Sequence, residues 1–341
     1  MHIIGTSGAN TITGSVDIDT LEGYAGNDSI TALDSNDFAL GNEDDDTILG
    51  GPGEDTVYGG QGADSIHGGA DNDVIFGNLG DDSIDGGVGV ETIYGGQGAD
   101  TVIGGAGNDV LYGNVADDNL SGGDGTDTLY GGQGGDTLDG GADIDQLFAG
   151  LGADSVSGGE GGDLIFANED ADTVDGGLGN DIVYGGQGAD EIDGSGGLDI
   201  LFGNNDNDTI DGGDGQDDLD GGQGADDLYG GGDADILRGN NGVDTLDGGA
   251  GSDTLIGGAG NDIFEYDHAA NANEIETISD FTRGQDKIRL IDFTLQAVVT
   301  TDASGNAVLT FDNGLTITLV GVAQNSITSA DFDFTSSDDL T

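Results

Sequence analysis

A nine-residue frame opens at Gly5 and runs to Glu265 without an insertion or deletion, giving 29 consecutive copies of a pattern near G-G-x-G-x-D-x-U-x, where U is aliphatic. The sixth place reads Asn10, Asp19, Asp28, Asp37, Asp46 and onward to Asp262, with 27 Asp, one Glu (Glu91) and one Asn. The eighth place reads Ile12, Leu21, Ile30, Ala39, then Val, Ile or Leu in every copy until Phe264. Two columns that stay in phase through 29 copies describe two jobs, a ligand for a hard cation and a core residue.

Charge makes the cation necessary. The chain carries 69 acidic residues against 4 basic ones, a formal net charge of −65, and 72 of its 341 residues are glycine. Such a composition disfavours unaided folding, because like charges repel and each ordered glycine loses more backbone entropy than any other residue. The only basic residues are Arg238, Arg283, Lys287 and Arg289, so nucleic acid and anionic membrane surfaces are excluded as partners. There is no cysteine, hence neither a disulfide nor a thiolate metal site. Residues Met1 to Gly14 have no basic and apolar runs of a cleavable leader, and no stretch approaches the roughly 18 apolar residues of a membrane span.

A glycine-rich turn followed by x-U-x, long enough for only a very short strand, winds into a parallel two-sheet solenoid when repeated, with two copies or 18 residues per coil. The nonapeptide resembles the RTX (repeats-in-toxin) calcium-binding repeat, and the resemblance extends from Gly5 to Glu265. The expected fold is therefore all-β: a parallel β-roll over residues 1–265 with a C-terminal β-rich capping and secretion domain over 266–341.

In that family the sixth-place Asp and backbone carbonyls of neighbouring turns bind Ca²⁺. The resemblance carries this role onto Asp19, Asp28, Asp46, Asp55, Asp64, Asp73, Asp82, Glu91, Asp100, Asp109, Asp118, Asp127, Asp136 and Asp145. It continues through Asp154, Asp163, Asp172, Asp181, Asp190, Asp199, Asp208, Asp217, Asp226, Asp235, Asp244, Asp253 and Asp262. Stacked carboxylates at the ~4.8 Å strand spacing repel unless a cation lies between them. Pairing each copy with the next but one allows up to 27 inter-turn sites among the 29 copies. Asn10 and the irregular copy from Ala32 to Asp37 make the first coils poor binders. One aliphatic side chain per nine residues is too thin a core to hold the fold alone, so calcium binding and folding are expected to be one event.

Because successive copies alternate between sheets, their outward residues separate into two faces. One carries at its ninth places Tyr58, Phe76, Tyr94, Tyr112, Tyr130, Phe148, Phe166, Tyr184 and Phe202. The other carries Ser, Thr and Asp, including Thr47, Ser65, Ser83, Thr101, Asp85 and Asp139. Aromatic residues suit strands and stack along them, yet so long an apolar stripe also reads as a surface for another copy or a cell-surface partner. An ice-binding role for the Ser/Thr ladder is disfavoured by interleaved acids such as Asp85 and Glu191.

After Glu265 the frame stops. Glu276-Thr277-Ile278-Ser279-Asp280-Phe281 and Gly284 to Leu290, with the ending Ala330-Asp331-Phe332-Asp333-Phe334, resemble the segment that follows RTX repeats in type I secretion substrates, including the tail of serralysin-type proteases. Ala307–Phe311 and Leu315–Val320 flank Asp312-Asn313-Gly314, a hairpin signal. The resemblance implies an uncleaved signal read by a type I ABC-transporter system and an extracellular or cell-surface destination. Arg283, Lys287 and Arg289 are placed to meet the acidic repeats.

No catalytic constellation is evident. His2, His67 and His268 are scattered, with no H-E-x-x-H, and no G-x-S-x-G elbow occurs. The repeats begin at Gly5, which leaves no room before them for a catalytic domain. The expected role is a secreted, non-enzymatic calcium-binding protein acting as a structural, surface-layer, matrix or adhesive component through its aromatic face. The alternatives are the folding and secretion module of a larger hydrolase or toxin, and a monomeric calcium buffer.

Overall fold

The computed structural model describes residues 1–272, 274–293 and 297–335. They fall into two compact units, Met1–Thr173 and Val174–Thr341. Within the first, each copy supplies one strand and alternate copies join alternate sheets. One sheet takes Phe38–Glu43, Thr56–Gln61, Val74–Leu79, Thr92–Gln97 and onward to Leu164–Glu169; the other takes Thr47–Pro52, Ser65–Ala70, Ser83–Val88 and onward to Ser155–Glu160. Pairing is parallel and partners are 18 residues apart, as with Val57 opposite Ile75, Ile75 opposite Ile93 and Ile66 opposite Ile84. The expected all-β roll with 18 residues per coil is what the chain forms.

Most strands are longer than x-U-x predicts. They run six residues, x-U-x-G-G-x, and the pleat buries both the aliphatic residue and the first glycine, as at Val57 and Gly59 in Thr56–Gln61. The interior thus holds more than one column: the eighth-place residues from Ile12 to Phe264 are all buried, and the sixth-place acids are buried beside them. Ladder pairing passes over the first glycine, since Tyr58 opposite Phe76 is followed by Gly60 opposite Asn78. The second and fourth places turn the chain with positive φ, +124° at Gly96 and +127° at Gly98. Asn78 (φ 81°) and Asp71 (φ 74°) stand in the same two places, because Asn and Asp tolerate this region better than other side chains.

In the second unit the same two-sheet arrangement continues, with Ile182–Gln187, Ile200–Asn205, Asp218–Gln223, Ile236–Asn241 and Thr254–Ala259 on one sheet, and shorter strands such as Thr209–Asp211 and Thr245–Asp247 on the other. The segment after Glu265 adds the last strands of both sheets. Ile275–Ile278 pairs with Thr254–Ala259 and Thr316–Leu319, while Lys287–Ile291 pairs with Ile263–Asp267 and Phe332–Thr335. The hairpin forms as expected: Ala307–Thr310 is antiparallel to Thr316–Leu319 around Gly314 (φ +95°). The basic residues divide differently from expectation. Arg289 meets the repeats through Glu265 at 2.8 Å, but Arg283 pairs with Asp331 at 3.6 Å and Lys287 donates to the Ala330 carbonyl, both within the C-terminal segment.

Leu129 is fully buried in the aliphatic column. Leu129→Ala should cost ~2–5 kcal/mol through lost burial and a residual cavity, read as a lower urea midpoint at saturating calcium. Thr137→Ala, on an exposed strand position, should change it by less than about 0.5 kcal/mol.

Candidate metal centre

All of the sixth-place acids named above are buried, none more than 4% exposed. Most place one oxygen in the same way, Asp19 and Glu91 being exceptions. The backbone N–H of a sixth-place residue donates to Oδ1 of the residue 18 further on, from Asp46 to Asp64, Asp64 to Asp82, Asp82 to Asp100 and Asp100 to Asp118, each at 2.8 Å. The column is therefore also a strut between coils. The other oxygen, Oδ2 of Asp46, Asp64, Asp82, Asp100 and Asp118 among others, is buried without a hydrogen-bond partner. A buried carboxylate oxygen with no donor is costly and calls for a cation.

What surrounds Oδ2 is set by the first glycine of each copy. A Cβ on Gly68 would stand 2.6 Å from Asp73 Oδ2 and 2.6 Å from the Gly86 carbonyl oxygen; on Gly104, 2.6 Å from Asp109 Oδ2 and 2.8 Å from the Gly122 carbonyl oxygen. Absence of a side chain leaves a small space bounded by a carboxylate oxygen and a carbonyl of the next coil. Among the described residues no three Asp, Glu or His side chains converge as a metal-holding group. A cation here must complete its shell with backbone carbonyls, and an all-oxygen set of that kind suits Ca²⁺ and not a soft metal.

Two acids extend the columns past the end of the frame, where sequence spacing gives no hint of them. Asp253 N–H donates to Glu276 Oε2 at 3.2 Å, and Asp262 N–H donates to Asp286 Oδ1 at 3.2 Å, steps of 23 and 24 residues in place of 18. Both are buried. Asp37, in the irregular copy, keeps the shared geometry, accepting from Asp19 N–H at 2.7 Å. The glycine of that copy is replaced by buried Ala32, as it is by Ala149 and Ala167 elsewhere.

Protonation reports the same strain. Burial, partly offset by the N–H on the carboxylate and added to by neighbouring acids, pushes Asp46, Asp73, Asp82 and Asp118 up to about 7. Burial likewise raises Asp55, Asp64 and Asp100 to about 6. Burial and then the adjoining Asp109 carboxylate raise Glu91; burial and then Asp253 raise Glu276.

On the outer side of the first unit the predicted aromatic ladder is present. Tyr58, Phe76, Tyr94, Tyr112, Tyr130, Phe148 and Phe166 stack at centroid separations of 4.6–5.2 Å with planes within 3–9° of parallel. Phe38 joins at one end, tilted by 52°. In the second unit Tyr184 stacks on Phe202 at 4.8 Å, and the row then gives way to Asp220, Arg238 and Ile256.

Stacked coils with inward carboxylates and glycine-lined oxygen cradles define a calcium-binding β-roll. The RTX calcium-binding nonapeptide repeat family matches in successive windows from 4–39 to 193–228, which together span residues 4–228 of the 341. The chain belongs to that family. Residues 235–336 match the Peptidase M10 serralysin C terminal region. By repeat and C-terminal region together it is a secreted calcium-binding β-roll. No curated protein matches the chain.

Two outcomes test the site. Gly104→Ala should weaken calcium binding by crowding Asp109 Oδ2, whereas Gly105→Asn, at a positive-φ place where Asn stands in other copies, should weaken it less; isothermal titration compares them. A carboxyl held above its unfolded value of about 4 keeps its proton longer in the folded, metal-free roll than in the unfolded chain. That contribution is complete below about pH 4 and is lost as pH rises through the folded values near 6 and 7. Circular dichroism with chelator should thus show more β-structure at pH 5 than at pH 8, and calcium binding at pH 7 should release protons.

Proposed function

We propose that this chain is exported unfolded, folds outside the cell when calcium fills the sixth-place columns, and serves there as a structural component of a surface layer or matrix, or as an adhesive element. The observation that carries this reading is the buried, partnerless carboxylate oxygen facing a carbonyl of the next coil. The ions are held by the Asp column from Asp19 to Asp262 with Glu91, and by Glu276 and Asp286 beyond the frame. Bound Ca²⁺ supplies the positive charge that lets stacked carboxylates coexist. In a calcium-poor cytosol the net charge of −65 keeps the chain extended and exportable. The similarity of residues 235–336 to the serralysin C-terminal region supports export through a type I ABC transporter, with residues 266–341 as cap and signal. The aromatic residues, Tyr58 to Phe166 in the first unit and Tyr184 with Phe202 in the second, supply the surface by which the folded chain meets a partner.

That same similarity favours a second reading, in which the chain is the folding and export part of a larger secreted hydrolase. An in-frame coding region upstream that encodes a catalytic domain would establish it.

For the calcium step, the full chain should give a coil spectrum in chelator and a β-spectrum with calcium. Asp100→Asn combined with Asp118→Asn should raise the calcium midpoint at least several-fold, by removing both carboxylates of adjacent coils. A β-spectrum in chelator at neutral pH, or no response to calcium, would sink the reading.

A further inference from the structure

The sheet bearing the aromatic row has a property that composition hides. In a chain with 69 acidic residues, six successive strands of this sheet, from Thr56–Gln61 to Gln146–Leu151, hold no Asp, Glu, Lys or Arg, and exposed Glu43 and Glu169 bound them on the strands to either side. The opposite sheet of the same unit carries Asp85, Asp124, Asp139 and Glu160 on its strands. Beside the rings, third-place Leu79, Val115 and Leu151 are 42%, 42% and 45% exposed, and a shallow groove runs between Leu79 and Val115 and the rings of Tyr58, Phe76 and Tyr94, with Glu43 at its end.

The rings limit what this face can bind. Nearly parallel stacking at 4.7–4.9 Å turns the faces of Phe76, Tyr94 and Tyr112 toward one another and leaves their edges outward. Sugar rings stack on aromatic faces, so a saccharide platform is not what the geometry offers. Apolar edges flanked by Leu and Val suit packing against another sheet, at about 10 Å between sheets.

We infer that the calcium-filled roll pairs with a second copy of itself through this uncharged sheet. The inference rests on the calcium-folded reading above and names the partner of its aromatic face. Two arguments select the occupant. A cationic partner would choose the acidic sheet, whereas a copy of the same polyanion can approach closely only where neither surface carries carboxylates, and this face is that place on both. The extent also fits. Six-residue strands of about 20 Å across six coils of about 29 Å give roughly 600 Å² per copy, at the lower end of the about 600–1,000 Å² per partner of a specific interface. A two-fold arrangement closes on itself.

The test is sedimentation velocity of the full chain at saturating calcium, with circular dichroism on the same samples. The wild type should sediment as two chains, and added NaCl should raise the two-chain fraction, because screening weakens like-charge repulsion and leaves apolar contact intact. Val115→Asp with Leu151→Asp should lose the two-chain species while its calcium transition stays unchanged. Ile103→Asp, equally exposed at 42% on the opposite sheet, should pair as the wild type does. A wild type that stays single at all concentrations, pairing that survives V115D/L151D, or pairing that I103D abolishes would overturn the inference. Absence of any calcium-induced β-signal would instead overturn the calcium reading beneath it.

Discussion

The rest of the structure depends on one unpaired oxygen, repeated. In most coils the sixth-place carboxylate accepts at Oδ1 from the preceding coil's backbone N–H and holds Oδ2 buried against a glycine and a carbonyl, as at Asp64 and Asp82. Two such charges at the ~4.8 Å coil spacing repel by about 3 kcal/mol at an effective dielectric of 20. The aliphatic column, one residue per nine, cannot absorb that along a whole roll. A divalent cation reverses the sign, since it attracts both carboxylates and occupies the space the glycine leaves. Protons can do part of the same work, and for this reason burial drives the acids' affinity for protons upward in the metal-free fold.

Seen this way, the glycines divide into two kinds. Second-place glycines and most fourth-place ones serve conformation: their φ is positive, and the residues that replace them include Asn42, Asn78, Asp44 and Asp71, which tolerate that region. First-place glycines serve space, and in all 29 copies the only replacement is Ala, at Ala32, Ala149 and Ala167. A reading of glycine as turn residue merges the two. The distinction was nevertheless legible, because the two kinds accept different substitutes.

Fold and buried acid column were readable from the frame because each coil contacts its neighbours at a fixed step of 18, so periodicity in the chain is periodicity in space. That logic fails where the step changes. Glu276 and Asp286 follow Asp253 and Asp262 in the columns only because loops lengthen the step to 23 and 24, and nothing in the local sequence marks either as a successor. Six-residue strands were missed for a related reason: Gly-Gly has low strand preference, yet neighbours in register on both sides hold it extended. The aromatic row was visible as a column, but not that its rings spend their faces on one another, since stacking geometry depends on side-chain rotation that periodicity leaves open.

The longer steps also explain what the C-terminal segment does. A roll that stopped at Asp262 would leave two sheets with open edges, and each ligand column ending on an acid with no successor. Ile275–Ile278 and Lys287–Ile291 cover those edges, and Glu276 and Asp286 supply the next carboxylate to each column. Arg289 against Glu265 then adds a cation at the end of a repeat frame whose one basic side chain is Arg238. Strand pairing alone would cap the backbone and leave the electrostatic problem of the last coil intact. Because the same few residues do both, truncation before Glu276 removes the next buried carboxylate of the column and the strand that covers its edge together.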